Sequence, residues 1–516
     1  MFPLSNTVRA PSTVEPPAHH VLYLPDSEQQ HNLTAQSADV TQHETDIAGF
    51  RNPWPSWHKH TRAELLQSLQ WGDLNDGCVE LAASHIPDSP TPPKPDEKHR
   101  PRFGDINDWP NSPGAKAAQL LQVETPDFSF PSGSKAKATW LGHAGVLVQL
   151  PPLDSPNGRP VRVLFDPLFS SRASPSTFFG PVRSYPPPCT IEDLPPIHIV
   201  AISHNHFDHM SAEALISLYN QNLKTVRFFV PLGNKHFLVS WGIPSDRIIE
   251  LDWWDSVQLG TDTLSSSTAS LKIHCTPAQH NSFRSSGDTN LALWSSWYIE
   301  YLPSDPHSIH GPKPYRVFFG GDTGYQFHPS PAWPPSPANP HPDIPAEDET
   351  TYPPCPAFAE IRDRIGPPDL LLLPVSVGAT FSYLRSFVPL PNWVNPFPRH
   401  TAGVTGANHM PAWDAVKVMK EMVGVGELGM GEESGSSGGT GGPAETEKEA
   451  VAMAVHWGTF VPDPEEVLHT LGSLEWACQQ QGVKFVRELR EEGADREEER
   501  RGLRFAAVNH GGSVCI

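Results

Sequence analysis

Short apolar runs, each closed by a polar or glycine-rich break, recur along the chain from Ala136 onward. The runs Thr139–Leu150, Val161–Phe165, Ile197–Ile202, Arg227–Val230, Leu271–Thr276, Leu291–Tyr301, Arg316–Phe319, Leu370–Pro374, Ala450–Val455 and Leu503–Asn509 read as strands. Helical spacing marks Ala212–Tyr219, Phe358–Ile365, Ala412–Met422 and Pro464–Gln480, with Pro411 placed near the start of the third. Strands and helices alternate, and the strands are too many for a bundle. The pattern therefore predicts an α/β (α+β) chain, a sheet sandwich covered by helices.

The pattern fails in several places. Residues 1–45 are polar and proline-rich and are expected to be disordered, leaving 46–516 as the folded body. Pro87–Arg102 reads as a linker or surface arm. Three insertions are expected at 326–354, 383–406 and 424–449, the last a Gly/Ser- and Glu-rich loop. A hydrophobic fraction of 38% and 58 prolines in 516 residues agree with much of the length being loop. The net charge of −21 excludes a basic nucleic-acid footprint and docking on anionic lipid by charge alone. The cysteines Cys78, Cys189, Cys275, Cys355, Cys478 and Cys515 have no paired spacing, so a reducing, intracellular compartment is expected. No apolar run reaches the ~18–20 residues of a membrane span, and the N-terminus lacks a secretory apolar region.

The chemistry concentrates in Ser203-His204-Asn205-His206-Phe207-Asp208-His209, directly after the apolar run Ile197–Ile202. Residues i and i+2 share a strand face, so His204 and His206 can converge on one ion. Where the chain turns, Asp208 and His209 can reach a second. Imidazole and carboxylate without thiolate suit zinc or a similar borderline divalent metal. Later strands end in matching residue types: His280 in Thr276-Pro277-Ala278-Gln279-His280, Asp322 in Gly320-Gly321-Asp322-Thr323-Gly324, and His456 in Val455-His456-Trp457-Gly458. Taken singly, each has an ordinary reading as a loop, turn or core residue; taken together they complete a site for two ions.

The segment 203–209 resembles the His-X-His-X-Asp-His signature of the metallo-β-lactamase superfamily. Thr139-Trp140-Leu141-Gly142-His143-Ala144, Phe169–Ser176, Leu251-Asp252-Trp253-Trp254, Gly320–Tyr325 and His456-Trp457-Gly458-Thr459-Phe460 further resemble the branch of N-acylphosphatidylethanolamine-hydrolysing phospholipases D. The resemblance implies the αβ/βα sandwich of two sheets flanked by helices, and two zinc ions. His204, His206 and His280 would hold one, Asp208, His209 and His456 the other, with Asp322 bridging. It implies a phospholipid substrate, split into an N-acylethanolamine and phosphatidic acid, and catalytic roles for Asp208, Asp322 and His409. His409, in Asn408-His409-Met410-Pro411, could orient the phosphate or protonate the leaving alkoxide. A homodimer is expected on the same ground. The chain departs from the branch at Thr177-Phe178, Thr380 and Asn408, where Gln-Tyr, Tyr and Gln are usual, which puts the head-group preference in question. Phe387, Trp393 and Phe397 in the second insertion suit a peripheral membrane contact, or else a loop packed on the body.

Overall fold

Leu370-Leu371-Leu372-Leu373-Pro374 is apolar at every position and fully buried, as a central parallel strand covered on both faces must be. It lies in the middle of the larger of two sheets in the computed structural model of the protein. The structure describes residues 4–8, 17–22, 47–71, 75–87, 112–131, 133–153, 158–176, 178–223, 225–260, 269–304, 314–329, 333–342, 351–376, 383–387, 390, 394–401, 405–425, 448–487 and 501–516.

In chain order the strands are β1 (Leu4–Val8), β2 (His20–Leu22), β3 (Ile47–Phe50), β4 (Leu69–Gln70), β5 (Lys137–Gly142), β6 (Gly145–Leu150), β7 (Val161–Phe165), β8 (Ile199–Ala201), β9 (Arg227–Pro231), β10 (Ile248–Leu251), β11 (Ser256–Leu259), β12 (Ser270–Thr276), β13 (Ser296–Leu302), β14 (Tyr315–Phe319), β15 (Leu370–Pro374), β16 (His400–Thr401), β17 (Ala450–Val455), β18 (Lys484–Val486), β19 (Leu503–Ala506) and β20 (Ser513–Cys515). The larger sheet has the order β1-β11-β12-β13-β14-β15-β17-β19-β18 and the smaller β10-β9-β8-β7-β6-β5-β20. From β14 to β18 the larger sheet is parallel, and so is the smaller from β7 to β10.

The strands of the smaller sheet alternate between two cores, as their two-residue period requires. Val161, Val163 and Phe165 of β7, with Ile199 and Ala201 of β8, face the larger sheet. Leu164 and Val200 face outward, where Ala214, Leu215 and Leu218 of helix Ala212–Gln221 cover them. Helices Ala357–Ile365, Ala412–Val423 and Glu465–Gln480 cover the far side of the larger sheet with residues such as Ile361, Val416, Met419 and Leu468. The result is the αβ/βα sandwich of the metallo-β-lactamase fold. Between the layers, Phe165 stacks on Phe319 at 4.5 Å, and the Trp297 indole donates to the carbonyl of Ile202 at 3.0 Å.

Several expectations need correction. Thr139–Leu150 is two strands, because Gly142 and His143 at φ +92° and +52° turn the chain into a hairpin. The strand expected from Leu291 begins only at Ser296, because Leu293 and Ser295 donate their amides to Leu232 and Ser203 of the other sheet's loops. The last expected strand stops at Ala506, after which His510 donates to Gln122. Within the N-terminal segment expected to be disordered, Leu4–Val8 pairs with the otherwise bare edge of β11, and His20–Leu22 pairs with β3. In the insertion 326–354, Phe327 and Trp333 are buried, and the Trp333 ring stacks on His328 at 3.3 Å. Short helices at Arg62–Ser68, Cys78–Ala83 and Pro113–Leu120 add to those the pattern shows. The expected arm beyond Pro87, from Asp88 to Arg102, and the Gly/Ser-rich loop from residue 426 to 447, lie outside the described residues.

His198 offers a test of the sheet's hydrogen bonding. Its Nδ1 accepts from the backbone amide of Arg162 at 3.1 Å, and burial with the nearby Arg162 charge pushes its pKa down to about 4 from 6.5. The unfolded chain thus takes up the proton first as pH falls. The contribution is intact above pH 6.5 and lost toward pH 4, about 1–2 kcal/mol for a half-buried ring. Denaturant titrations across this range should show a flatter profile for H198N than for the natural protein; parallel profiles would refute the assignment.

Candidate metal centre

The strands that deliver the site all run the same way. β5, β7 and β8 of one sheet, and β12, β14 and β17 of the other, point their C-terminal ends at one edge of the sandwich, as the pairing directions require. His143, Asp166, His204, His280, Asp322 and His456 all follow those ends within a few residues. The intervening antiparallel strands β6 and β13 point away and contribute no such residue.

Three imidazoles meet in the first group. His204 Nδ1 lies 2.8 Å from Ser203 Oγ, and that hydroxyl donates onward to Asp166 at 2.5 Å. The Ser203 oxygen therefore accepts from His204 Nδ1–H, which leaves the Nε2 lone pair facing the centre. His280 donates from Nδ1 to the carbonyl of Asn408 at 3.1 Å and likewise presents Nε2. His204 Nε2 and His280 Nε2 lie 2.8 and 3.4 Å from His206 Nδ1. Burial and the neighbouring imidazoles hold His204 and His280 well below their usual pKa, and burial brings His206 down to about 4. All three are neutral bases, the form a metal needs.

The second group comprises Asp208, His209 and His456 with His143. His143 Nε2 is 3.0 Å from Asp208 Oδ2. His209 donates from Nδ1 to Asp166 at 2.7 Å, freeing its Nε2. Asp322 lies between the groups: Oδ1 is 3.0 Å from His456 Nε2, and Oδ2 is 2.9 Å from His209 Nε2 and 3.9 Å from His204 Nε2. Burial opposes its ionisation, but the charges of His209 and His456 outweigh that and hold it well below the usual carboxylate range. His209 is held well above its usual value, because Asp322, Asp208 and Asp166 outweigh its own burial.

Does this donor set fit a metal? His209 Nε2, His456 Nε2 and Asp322 Oδ1 are buried, close together and without a hydrogen bond. In a dry site these nitrogens and carboxylate oxygens need a cation among them, either the proton on His209 or a metal ion that takes the nitrogen lone pairs. The fold, the His/Asp clusters and the orphaned atoms together identify a metal site. It contains all of the expected residues His204, His206, Asp208, His209, His280, Asp322 and His456 in contact distance of one another's groups. His409 joins them, with Nε2 3.3 Å from Asp322 Oδ2.

The surroundings hold these positions tightly. Asp166, His143 and His456 adopt left-handed backbone at φ +38°, +52° and +60°, which costs about 1–3 kcal/mol each for non-glycine residues. His143 is over-determined: its amide donates to Thr459 Oγ1 at 2.6 Å, and its carbonyl accepts from the Trp140 indole at 2.7 Å and the His456 amide at 2.9 Å. Gly321, at φ +60°, lets Asp322 approach the histidine loop; a Cβ there would lie 2.8 Å from Ser203 Cβ. Arg284 donates to the carbonyls of Asn205 and Met210, each at 2.9 Å, and caps Phe207 with its guanidinium 4.3 Å from the ring centre.

His143, Asp166 and Arg284 were not among the residues expected at the site. Asp166 carried the same signal as Asp322, an acid directly after an apolar strand, and His143 the signal of a histidine before a turn. Arg284 has no signal in the sequence, since its role depends on the meeting of two distant loops. Phe178, at one of the positions where the chain departs from the branch, is 81% exposed: the Phe178 and Phe179 amides donate to Ser176 Oγ, and the ring faces solvent. Thr177 and Thr380 lie outside the described residues.

With the geometry in place, residues 161–330 match the family model of the β-lactamase superfamily domain. An uncharacterized protein of Mycobacterium tuberculosis is 36% identical over 211 residues, 41% of this chain and 48% of that one. The N-acyl-phosphatidylethanolamine-hydrolyzing phospholipase D 1 of Caenorhabditis elegans is 37% identical over 199 residues, 38% of this chain and 49% of that one. The matched stretch spans about half the length of either relative. Among solved structures, a diiron β-hydroxylase from Streptomyces venezuelae aligns over 75% of this chain and 55% of that one at 15% identity, with a TM-score of 0.36.

Asp166 orients both His209 and, through Ser203, His204. Replacing it by alanine should weaken metal binding by about 10–100-fold, read by competition against a chromogenic chelator, without loss of the folded circular-dichroism signature. Unchanged affinity in D166A would show that the strut is dispensable.

Proposed function

Since the chain belongs to the metallo-β-lactamase superfamily and is related to the N-acylphosphatidylethanolamine-hydrolysing phospholipases D, we propose that this hydrolase is a two-zinc phosphodiesterase that splits N-acylphosphatidylethanolamine into an N-acylethanolamine and phosphatidic acid. The observation that carries the reading is Asp322, whose carboxylate touches both groups of donors: Oδ1 lies 3.0 Å from His456 Nε2, and Oδ2 lies 2.9 Å from His209 Nε2 and 3.9 Å from His204 Nε2. His204, His206 and His280 would hold one ion and Asp208, His209 and His456 the other, with Asp322 shared between them. Zinc bound there would supply an acidified water and neutralise charge on the phosphoryl oxygens.

The chain's own residues supply the rest. Asn281 Nδ2 donates to Asn408 Oδ1 at 3.0 Å, which turns Asn408 Nδ2 toward His409 Nδ1 at 3.1 Å. His409 Nδ1 is thereby an acceptor, and the ring proton resides on Nε2, the atom that faces the centre. A donor there can hydrogen-bond a phosphoryl oxygen or deliver a proton to the departing alkoxide. Asn408 thus does this work where the related enzymes usually have Gln.

The substrate class requires contact with a lipid surface, and no helix among the described residues is long and apolar enough to cross a membrane. Phe178 and Phe179 are 81% and 78% exposed, and the loop that carries them is tied to Ser386 by the Val182 amide, beside the exposed Phe387. Tyr383 packs on Phe460 at 5.6 Å, and Phe460 in turn meets the His143 ring edge-on at 5.0 Å, so this rim continues into the metal centre. The apolar rim favours peripheral docking by aromatic side chains. Trp393, expected to take part, lies outside the described residues. The solvent-facing Phe178 also favours a second reading, a hydrolase of this fold acting on a different ester, lactone or phosphodiester.

Purified protein offered a panel of phospholipids should release N-acylethanolamine and phosphatidic acid in equal amounts, and H206A and D322N should each lower turnover by at least about a thousandfold while remaining folded. Release of a different product pair, or near-normal turnover in either variant, would exclude the reading. F178D/F179D should cleave vesicle lipid about tenfold more slowly and detergent-dispersed lipid normally; equal slowing on both would remove the docking role.

A further inference from the structure

A second concentration of metal-binding groups lies apart from the centre, where the N-terminal segment crosses the end of β10. Asp252 follows β10 as Asp166 follows β7. His19 Nε2 lies 2.7 Å from Asp252 Oδ1, and His20 Nε2 lies 2.8 Å from Asp252 Oδ2. The two rings meet edge-on at 4.5 Å, and His19 is stacked on Trp253 at 4.3 Å. Their side chains are only 7% and 9% exposed, and that of Asp252 is 16% exposed.

Two neutral imidazoles can satisfy one carboxylate by hydrogen bonding only if both N–H groups line up with it. His19 does so. His20 is not aligned in this way: its buried Nε2 is 2.8 Å from the carboxylate but off the line a hydrogen bond needs. A buried nitrogen aimed at an anion without a proton on the line between them is the arrangement of two ligands that share a cation. We propose that His19, His20 and Asp252 form a further, structural metal site for a divalent ion of the zinc class, independent of the reaction assigned above. Imidazole and carboxylate are the donors such an ion takes, and the exposed side of Asp252 leaves room for water as a remaining ligand.

The site would act as a rivet. His19 and His20 lie at the start of β2, which pairs with β3, and the His19 carbonyl accepts from the amide of Arg51 at 2.9 Å. Phe50 packs against both rings. Two residues on, Asn52 donates to the carbonyl of His280 at 2.7 Å and accepts from its amide at 3.2 Å. An ion on His19, His20 and Asp252 therefore fastens the segment that grips the backbone of a histidine in the main centre.

Metal content of the full chain, measured by plasma mass spectrometry after loading with zinc and dialysis, tests the proposal. H19A/H20A should hold about one ion per chain fewer than the natural protein, and D252N, which keeps the acceptor for the Trp253 amide, should match it. In an H206A/H209A background the remaining ion should vanish on adding H19A/H20A. Chelation should also speed hydrogen exchange in residues 17–22 and 47–58 of that background, since a clamp made of hydrogen bonds alone is indifferent to a chelator. Equal metal content with and without His19 and His20, or exchange that ignores the chelator, overturns the site. Loss of an ion in H19A/H20A but none in H206A/H209A would instead sink the main-centre reading and leave this one standing.

Discussion

The stack of Phe165 on Phe319 at 4.5 Å is the contact on which the site depends. Each ring belongs to the last residue of its strand, and the next residues are Asp166 in one case and Gly320-Gly321-Asp322 in the other. The spacing of the two sheets is set there by two fully buried aromatic side chains, a packed and nearly incompressible layer. The polar centre is built directly on that layer. An aromatic pair contributes only about 0.5–1.5 kcal/mol beyond its buried area. Its consequence for geometry is larger, because a shift of the sheets would separate Asp322 from the histidines that Asp166 orients.

On that platform the electrostatics are arranged in two tiers. Asp166 is fully buried, and burial raises its pKa. It stays in place because Ser203 and His209 supply donors on both oxygens. Its charge is thus spent on orienting imidazoles rather than on holding an ion. Asp322 faces the opposite way, toward the Nε2 atoms of His204, His209, His409 and His456, and its Oδ1 accepts no hydrogen bond. The difference between a structural and a ligand carboxylate is therefore legible in the hydrogen-bond inventory of each. The same inventory separates His19, which is satisfied, from His20, which is not.

Much of this was legible in the chain itself, for a physical reason. A motif such as His204-Asn205-His206 is local: it follows the buried strand Ile199–Ala201 directly, although both histidines lie in the loop beyond its end rather than on a strand face as the two-residue period suggests. Asp322 and His456 could be recognised because the apolar strands that deliver them are fully buried and hence unbroken in sequence. What escaped was whatever depends on pairing between distant segments. Leu291–Trp294 reads as strand yet is drawn off by the other sheet's loops. The strand Leu4–Val8 is too polar to be seen without the bare edge of β11 beside it. Phe327 and Trp333 were hidden among prolines, although proline does not prevent a loop from burying its aromatic residues. Arg284 joins two loops far apart in the chain, which no periodicity records.

The departures from the related phospholipases fall into two kinds, and the structure separates them. Asn408 replaces a glutamine with a side chain one methylene shorter, and Asn281 makes up the difference by turning the amide toward His409. The proton on His409 Nε2 faces the centre, as the proposed chemistry needs, so this change is compensated within the chain. Phe178 has no such compensation: its ring faces solvent beside that of Phe179. On the reading proposed above, the exposed pair of rings adds apolar surface where a lipid bilayer would lie. On that reading, bond cleavage and substrate selection would fall to different residues: the first to the Asn408–His409 pair, whose change is compensated, and the second to rim residues such as Phe178.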